Sequence, residues 1–436
     1  MRLDDWINKK IFDNEKVKLT REDLDNYQLE RLNYLIEYTK KNSSFYRKLY
    51  KDIDKLNSLD EITRLPITNK YDILNCDKKM VCVSQSEISR IVSLKTSGTT
   101  GKSKTIYFTE EDQALTVDFF GEGISLLTQK GDTMMILLPC ERENGVGDLI
   151  RKGLNNIEVK PVPYGLLDTF EDCVNTIIKN NVNSIVGMPV EILALGRYIK
   201  QKNLDINIKS ILLSADMVSR EIVDEIRDAY NCEVFNHFGI TEAGLGCAVE
   251  CSYHTGMHIR ENDILVEVVD PVTKEPLEDG KLGKVLITTL TRAAMPLIRY
   301  ETGDIGSIVS GTCPCGSVLK RLDYIDYREA NVFYLDDDSF INIKDIDGNL
   351  FKIKNLINCK VEIQDKSKLN IKLAVLDLNN ENHDNDLLIL EAKKLLLNIE
   401  SIKKAVDIGL LEIDIEVEYT DKWFPYYMGK RKIIYD

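Results

Sequence analysis

Between residues 133 and 213, short apolar runs alternate with amphipathic stretches, and few folds accept that alternation. Thr133-Met-Met-Ile-Leu-Leu138, Ser184-Ile-Val186 and Ser210-Ile-Leu-Leu213 are apolar on both faces, as strands buried on both sides must be. Residues 170–180 and 190–202 carry apolar positions at three- and four-residue spacing, the period of a helix with one buried face. Strand and helix in turn argue an α/β class with a mostly parallel, helix-covered sheet. In such sheets ligands gather at the carboxyl ends of the strands.

The flanking chain reads differently. Residues 25–51 are helical in period, with Leu29, Leu32, Leu35 and Ile36 on one face. Thr68 or Asn69 starts another helix, and Thr109-Glu-Glu-Asp112 starts a third after the β-like run Lys104–Phe108. From Ile264 to about Ile308 the pattern is strand-rich, with runs at 263–269 and 284–289 flanking Asp270-Pro and Asp279-Gly280 turns. A domain boundary is expected near residue 326. Residues 1–326 then form a large domain of several subdomains, and 327–436 a small α/β domain. The clearest elements of the small domain are strand-like 369–375 and 411–418 and helical 385–397.

A chain of 436 residues can bury a large core. Its net charge of −14 argues against nucleic acid or an anionic membrane as the main partner. No apolar run is long enough to span a bilayer, and the N-terminus lacks the apolar centre of a signal peptide. Ten cysteines in such a chain read as reduced thiols or metal ligands, and the expected location is the cytoplasm. The assembly stays open, a homodimer included.

An anionic ligand would need local positive features, and one stretch concentrates them: Ser93-Leu-Lys-Thr96-Ser97-Gly98-Thr99-Thr100-Gly101-Lys102-Ser-Lys104. Glycines let backbone N–H groups approach an anion, hydroxyls add donors, and the lysines add charge. Gly98 and Gly101 are separated by two residues, where a P-loop NTPase needs four. A solvated Gly/Ser/Thr turn is the plain alternative.

The stretch resembles the phosphate loop of the AMP-forming adenylating enzymes. Phe238-Gly239-Ile-Thr241-Glu242 and Tyr300-Glu-Thr-Gly-Asp304 resemble two further motifs of that superfamily, in the same order along the chain. Phe45-Tyr-Arg followed by Leu65-Pro-Ile-Thr is similar to the opening of its phenylacetate–CoA ligase branch. The resemblance implies a large adenylating domain and a mobile C-terminal domain. It implies an ATP-dependent ligase that activates an aryl or acyl carboxylic acid as acyl-AMP, then forms a thioester with coenzyme A. Transfer to a non-CoA acceptor, or a catalytically silent nucleotide-binding scaffold, are the alternatives.

By the same resemblance, Thr96 to Lys102 hold the β- and γ-phosphates, Glu242 coordinates Mg²⁺, and Thr241 contacts the α-phosphate. Phe238, beside Gly239, packs on adenine, Asp304 accepts from the ribose hydroxyls, and Ser214-Ala215-Asp216 stands where the family has Gly-Ala-Glu. Arg299 is either a site residue or the partner of a nearby acid. Arg328 survives from a hinge motif whose glycine is here Tyr327 and whose two aspartates are Glu329-Ala330. Lys430, with Lys432 as the fallback, resembles the C-terminal lysine that neutralises the forming acyl phosphate; a basic tail is the alternative.

Cys313-Pro-Cys315 and the group Cys251, His254 and His258 offer thiolates and imidazoles, which in fours suit tetrahedral Zn²⁺. Some phenylacetate–CoA ligase relatives carry a Cys followed seven residues later by His, then Cys-Pro-Cys-Gly. That pattern implies a structural Zn²⁺ on Cys251, His258, Cys313 and Cys315, with free buried cysteines as the alternative.

Overall fold

Helix starts follow the local chemistry. In the computed structural model, which describes residues 3–12, 18–95, 103–335, 339–379, 384–426 and 430–435, Asn69 caps the helix Lys70–Met80 in a box with Asp72. Thr109 does the same with Asp112 for Glu110–Ile124, and Thr20 with Asp23 for Arg21–Asn42. Ser43 ends that last helix and caps the next, Ser44–Leu49. No helix among the described residues is long and apolar enough to cross a membrane.

The chain divides into two units, Met1–Lys130 with Glu141–Val159 and Phe235–Ile325, and Gly131–Cys140 with Lys160–Val234 and Asp326–Asp436. In the first unit Arg90–Lys95 pairs antiparallel with Ser103–Phe108, with Lys95 opposite Ser103. The hydroxyl- and glycine-rich residues 96–102 join these strands and lie outside the described residues. Ile264–Val269, Gly283–Thr289 and Tyr300–Gly306 form an antiparallel run, and a second one joins Ala248–Glu250, Met257–Ile259 and Arg321–Leu322. The helices Glu110–Ile124 and Val146–Asn156 touch backbone to backbone at Gly153. A Cβ there would come within 2.8 Å of the Gly121 nitrogen, so only glycine allows this approach.

The second unit holds the expected parallel sheet, in the order Lys160–Pro163, Thr133–Leu137, Ser184–Gly187, Ser210–Leu213. The helices Phe170–Asn180 and Pro189–Gln201 fall where the period placed them. The residues from Asp326 onward bring a four-stranded sheet ordered Glu412–Thr420, Lys368–Leu376, Leu356–Gln364, Ile434–Tyr435. Its buried face joins the same hydrophobic core as the parallel sheet, from Met135 and Ile192 to Leu373 and Ile433. Arg197, 7% exposed, donates to the carbonyls of Leu356 and Phe351 and ties the helix Pro189–Gln201 to this segment.

Candidate active site

Glu242 is the acid that the first unit builds around. It lies in the turn Thr241–Ala243, which closes through Gly244 in a left-handed conformation. Three features fix the turn, two of them long-range. Arg292 donates to the Glu242 carbonyl, the Thr116 hydroxyl donates to the Gly244 carbonyl at 2.7 Å, and Gly239 admits the returning chain. A Cβ on Gly239 would lie 1.7 Å from the Leu245 carbonyl oxygen, so the motif glycine is a steric requirement.

Glu242 is buried; its carboxylate pairs with the Lys104 ammonium and accepts from the Tyr300 hydroxyl at 3.3 Å. Lys104 also reaches that hydroxyl at 3.4 Å. Burial, then the Glu242 charge, raises the Tyr300 phenol and keeps it a neutral donor. The triad joins three sequence motifs: Lys104 follows the phosphate stretch, Glu242 belongs to the second motif and Tyr300 opens the third. Lys104 as the partner of Glu242, Arg292 and Thr116 were not foreseen; no local pattern points to residues 50 to 138 positions away in sequence.

Thr241 is half-buried beside Glu242, and Phe238 is buried in the strand that precedes the turn. Asp304 is 1% exposed, and its N–H donates to the Thr302 hydroxyl at 3.0 Å, across a positive-φ Gly303. Arg299 takes the simpler of its two expected readings. It is buried, ion-paired with Glu267 at 2.9 Å, and donates to the Leu65 carbonyl at 2.9 Å and the Thr63 carbonyl at 3.3 Å. Burial raises the Glu267 carboxyl and the Arg299 charge opposes that shift. Arg299 is thus a tie between the strand-rich region and the residues before the helix Lys70–Met80.

Other expected site residues lie in the second unit. Ser214, Ala215 and Asp216 follow the strand Ser210–Leu213, with Ala215 at φ 71°. Asp216 accepts from the Met217 N–H at 2.9 Å and the Arg431 N–H at 2.8 Å. Burial raises its carboxyl, while the Arg431 N–H and the nearby Lys430 charge oppose the shift. Lys430 and Lys432 are exposed and the residue between them is not. The Arg431 guanidinium is buried against Asp347 at 2.5 Å and the Asn358 side chain at 3.0 Å, a feature that the basic run in the sequence conceals. Arg328 is half-buried, and the Tyr327 ring packs tilted against Phe340, with centroids 4.7 Å apart.

In the first unit Cys251, His258, Cys313 and Cys315 converge, their ligand atoms all within 4.8 Å of one another. Cys251 Sγ is 3.7 Å from Cys313 Sγ, and Cys315 Sγ is 3.4 Å from His258 Nε2. His254 turns instead to Glu250, at 3.5 Å, and to the Phe235 ring. Strand pairing places His258 opposite Arg321, close after the Cys313–Cys315 turn.

Comparison with known proteins shows the family. The family described as AMP-binding enzyme matches residues 50–293, more than half of the chain. The phenylacetate-coenzyme A ligase of Thermus thermophilus is 28% identical over 349 residues, 74% of this chain and 76% of that protein. The phenylacetate-coenzyme A ligase of Pseudomonas putida is 26% identical over 385 residues, 82% of this chain and 87% of that protein. Among solved structures, 2-hydroxyisobutyryl-CoA ligase in the postadenylation state has a TM-score of 0.79 at 18% identity, covering 96% of this chain and 90% of that one.

Proposed function

This chain belongs to the AMP-binding enzymes, and from that premise we infer that it is an ATP-dependent, AMP-forming acid–CoA ligase. The carboxylate of the acid attacks the α-phosphorus of ATP, giving acyl-AMP and pyrophosphate. The thiol of coenzyme A then takes the acyl group and releases AMP. The observation that carries the reading is the Lys104–Glu242–Tyr300 cluster, which draws three ordered motifs of an adenylating enzyme into one buried site.

Two anions must meet in the first step, so positioning and charge neutralisation carry most of the catalysis. Thr96, Ser97, Gly98, Thr99, Thr100, Gly101 and Lys102 would cradle the β- and γ-phosphates, with Lys104 beside them. Thr241 would reach the α-phosphate, Phe238 would pack on adenine and Asp304 would accept from the ribose hydroxyls. Ser214, Ala215, Asp216 and Arg328 would complete the nucleotide site, and Lys430 would neutralise the forming acyl phosphate. Mg²⁺ fits Glu242: a buried carboxylate with one oxygen engaged by the Lys104 ammonium and the Tyr300 phenol is hard-donor chemistry. The metal would supply charge neutralisation to the phosphates.

The small domain would begin at residue 327 and move between the two half-reactions. Cys251, His258, Cys313 and Cys315 fit a closed Zn²⁺ site, with four soft or borderline donors mutually within 4.8 Å and no place for substrate. A chain with ten cysteines that takes ATP and coenzyme A as substrates would work in a reducing compartment, the cytoplasm. The acid would be aryl or acyl, as phenylacetate is for the named relatives.

The test is carboxylate-dependent exchange of labelled pyrophosphate into ATP over a panel of aryl and short acyl acids, followed by addition of coenzyme A. Exchange with one acid and CoA-dependent release of AMP are expected. No exchange with any acid would leave a nucleotide-binding scaffold. Exchange without thioester formation would point to another acceptor.

A further inference from the structure

Arg431 sits between two exposed lysines and is itself almost wholly buried, at 7% exposure. Its guanidinium is held on every side. Nε and one terminal nitrogen make a two-pronged ion pair with Asp347, each at 2.5 Å. The other terminal nitrogen donates to the Asn358 side chain at 3.0 Å and the Cys359 carbonyl at 3.1 Å. The Phe351 ring lies 5.4 Å below. All these partners come from the helix Ile343–Leu350 and the strand Leu356–Gln364 or directly follow that helix. The side chain therefore pins residue 431 to the C-terminal sheet.

The main chain of the same residue points the other way. Its N–H donates to Asp216 Oδ2 at 2.8 Å, while Asp216 Oδ1 accepts from Met217 N–H at 2.9 Å. Asp216 stands three residues past the end of the parallel strand Ser210–Leu213, in the segment proposed as part of the nucleotide site. One residue thus joins the C-terminal sheet, by its side chain, to the carboxyl end of a parallel strand, by its backbone. Lys430 is the neighbour through one peptide bond, and its charge is felt at Asp216.

We propose that Arg431 is a positioning residue for adenylation: clamped by Asp347, Asn358 and Cys359 and docked on Asp216, it sets where the Lys430 ammonium stands. The shorter acid at 216, where the family motif has glutamate, then has a reason of its own, as the docking acceptor. The inference rests on Lys430 being the lysine that neutralises the acyl phosphate. Arg431 does not touch substrate. It acts through its neighbour, and it matters to the first half-reaction alone.

Two half-reactions and three proteins test this: Lys430→Ala, Arg431→Met and the double variant, each measured by pyrophosphate exchange and by conversion of chemically prepared acyl-AMP with coenzyme A. A catalytic charge misplaced by about 1 Å costs on the order of 10²-fold, so each single variant should lose about that factor in exchange. The double variant should lose no more than Lys430→Ala, and acyl-AMP conversion should stay within about 2-fold in all three. Multiplicative losses in the double variant, or equal loss in both half-reactions, would overturn the positioning role. If Lys430→Ala lowers exchange and Arg431→Met does not, this inference fails and the lysine reading stands. If Lys430→Ala exchanges normally, it is the lysine reading that fails, and the positioning role falls with it. Should Arg431→Met not fold, Asp347→Asn keeps the volume and weakens the clamp. A loss of about 10-fold in exchange, absent in the Lys430→Ala background, is then required.

Discussion

Replacing Glu242 by Gln separates a structural from a catalytic role by magnitude. The Glu242 and Lys104 side chains are 9% and 17% exposed, so their ion pair is mostly shielded from solvent. The amide keeps an acceptor for Lys104 and a polar partner for Tyr300, so no polar atom is stranded. What is lost is the charge assistance. A charge-assisted hydrogen bond contributes about 1.5–3 kcal/mol and a neutral one about 0.5–1.5, so the exchange costs about 1–2 kcal/mol. Against a stability of about 5–15 kcal/mol, that leaves more than about 99% of the protein folded at 25 °C. Unfolding therefore cannot lower activity measurably. Removing an electrostatic group aimed at charge that develops in the transition state lowers kcat by about 10²–10³-fold. Glu242→Gln should accordingly keep a cooperative melt close to that of the parent and lose about 10²-fold or more in carboxylate-dependent pyrophosphate exchange. A folded variant that exchanges within about 3-fold of the parent would refute the assignment and leave Glu242 a purely structural acid.

Arg299→Ala strands the buried Glu267 carboxylate and two carbonyls, and should cost about 3–5 kcal/mol in chemical denaturation. A loss under about 1 kcal/mol would show the tie to be dispensable. Protein purified without chelator should carry one zinc per chain by elemental analysis, lost in Cys313→Ala and His258→Ala and kept in His254→Ala; the opposite behaviour of the two histidines would reassign the ligand. Burial raises Glu191 from the ordinary glutamate value of 4.5 to about 7, opposed by the Leu167 N–H. Between those values the folded state holds a proton that the unfolded state has released, so this contribution is complete below pH 4.5 and is lost as pH rises through about 7. Glu191→Gln should flatten that decline in stability between pH 5 and 8, and an unchanged pH profile would rule out Glu191 as its source.

Much of the fold could be read one segment at a time. Thr109 with Asp112, and Asn69, mark helix starts because a side-chain oxygen three residues or fewer away meets the first free N–H groups. The apolar runs at 133–137, 184–187 and 210–213 mark buried parallel strands because such strands have no solvent face. The strand Leu356–Gln364 is not legible in the sequence because Asn358, Cys359 and Lys360 break its alternation; their side chains serve Arg431 and a neighbouring glutamate instead.

The sequence by itself determined which chemistry was available: a hydroxyl- and glycine-rich stretch, a Thr-Glu turn, a Thr-Gly-Asp strand and a cysteine-rich pair of turns, each set by neighbours in the chain. Even the obligatory Gly239 belongs here, since the carbonyl that excludes its Cβ is six residues on. Tertiary structure alone decided the partners. Lys104 meets Glu242 across 138 residues, Arg299 meets Leu65 across 234, and Arg431 meets Asp216 across 215. It also set His258 beside Cys315 and turned His254, four residues earlier, to Glu250. Charges and donors of one kind look alike along a sequence. Burial distinguishes them, because a charge removed from water persists only where the fold delivers its counter-charge.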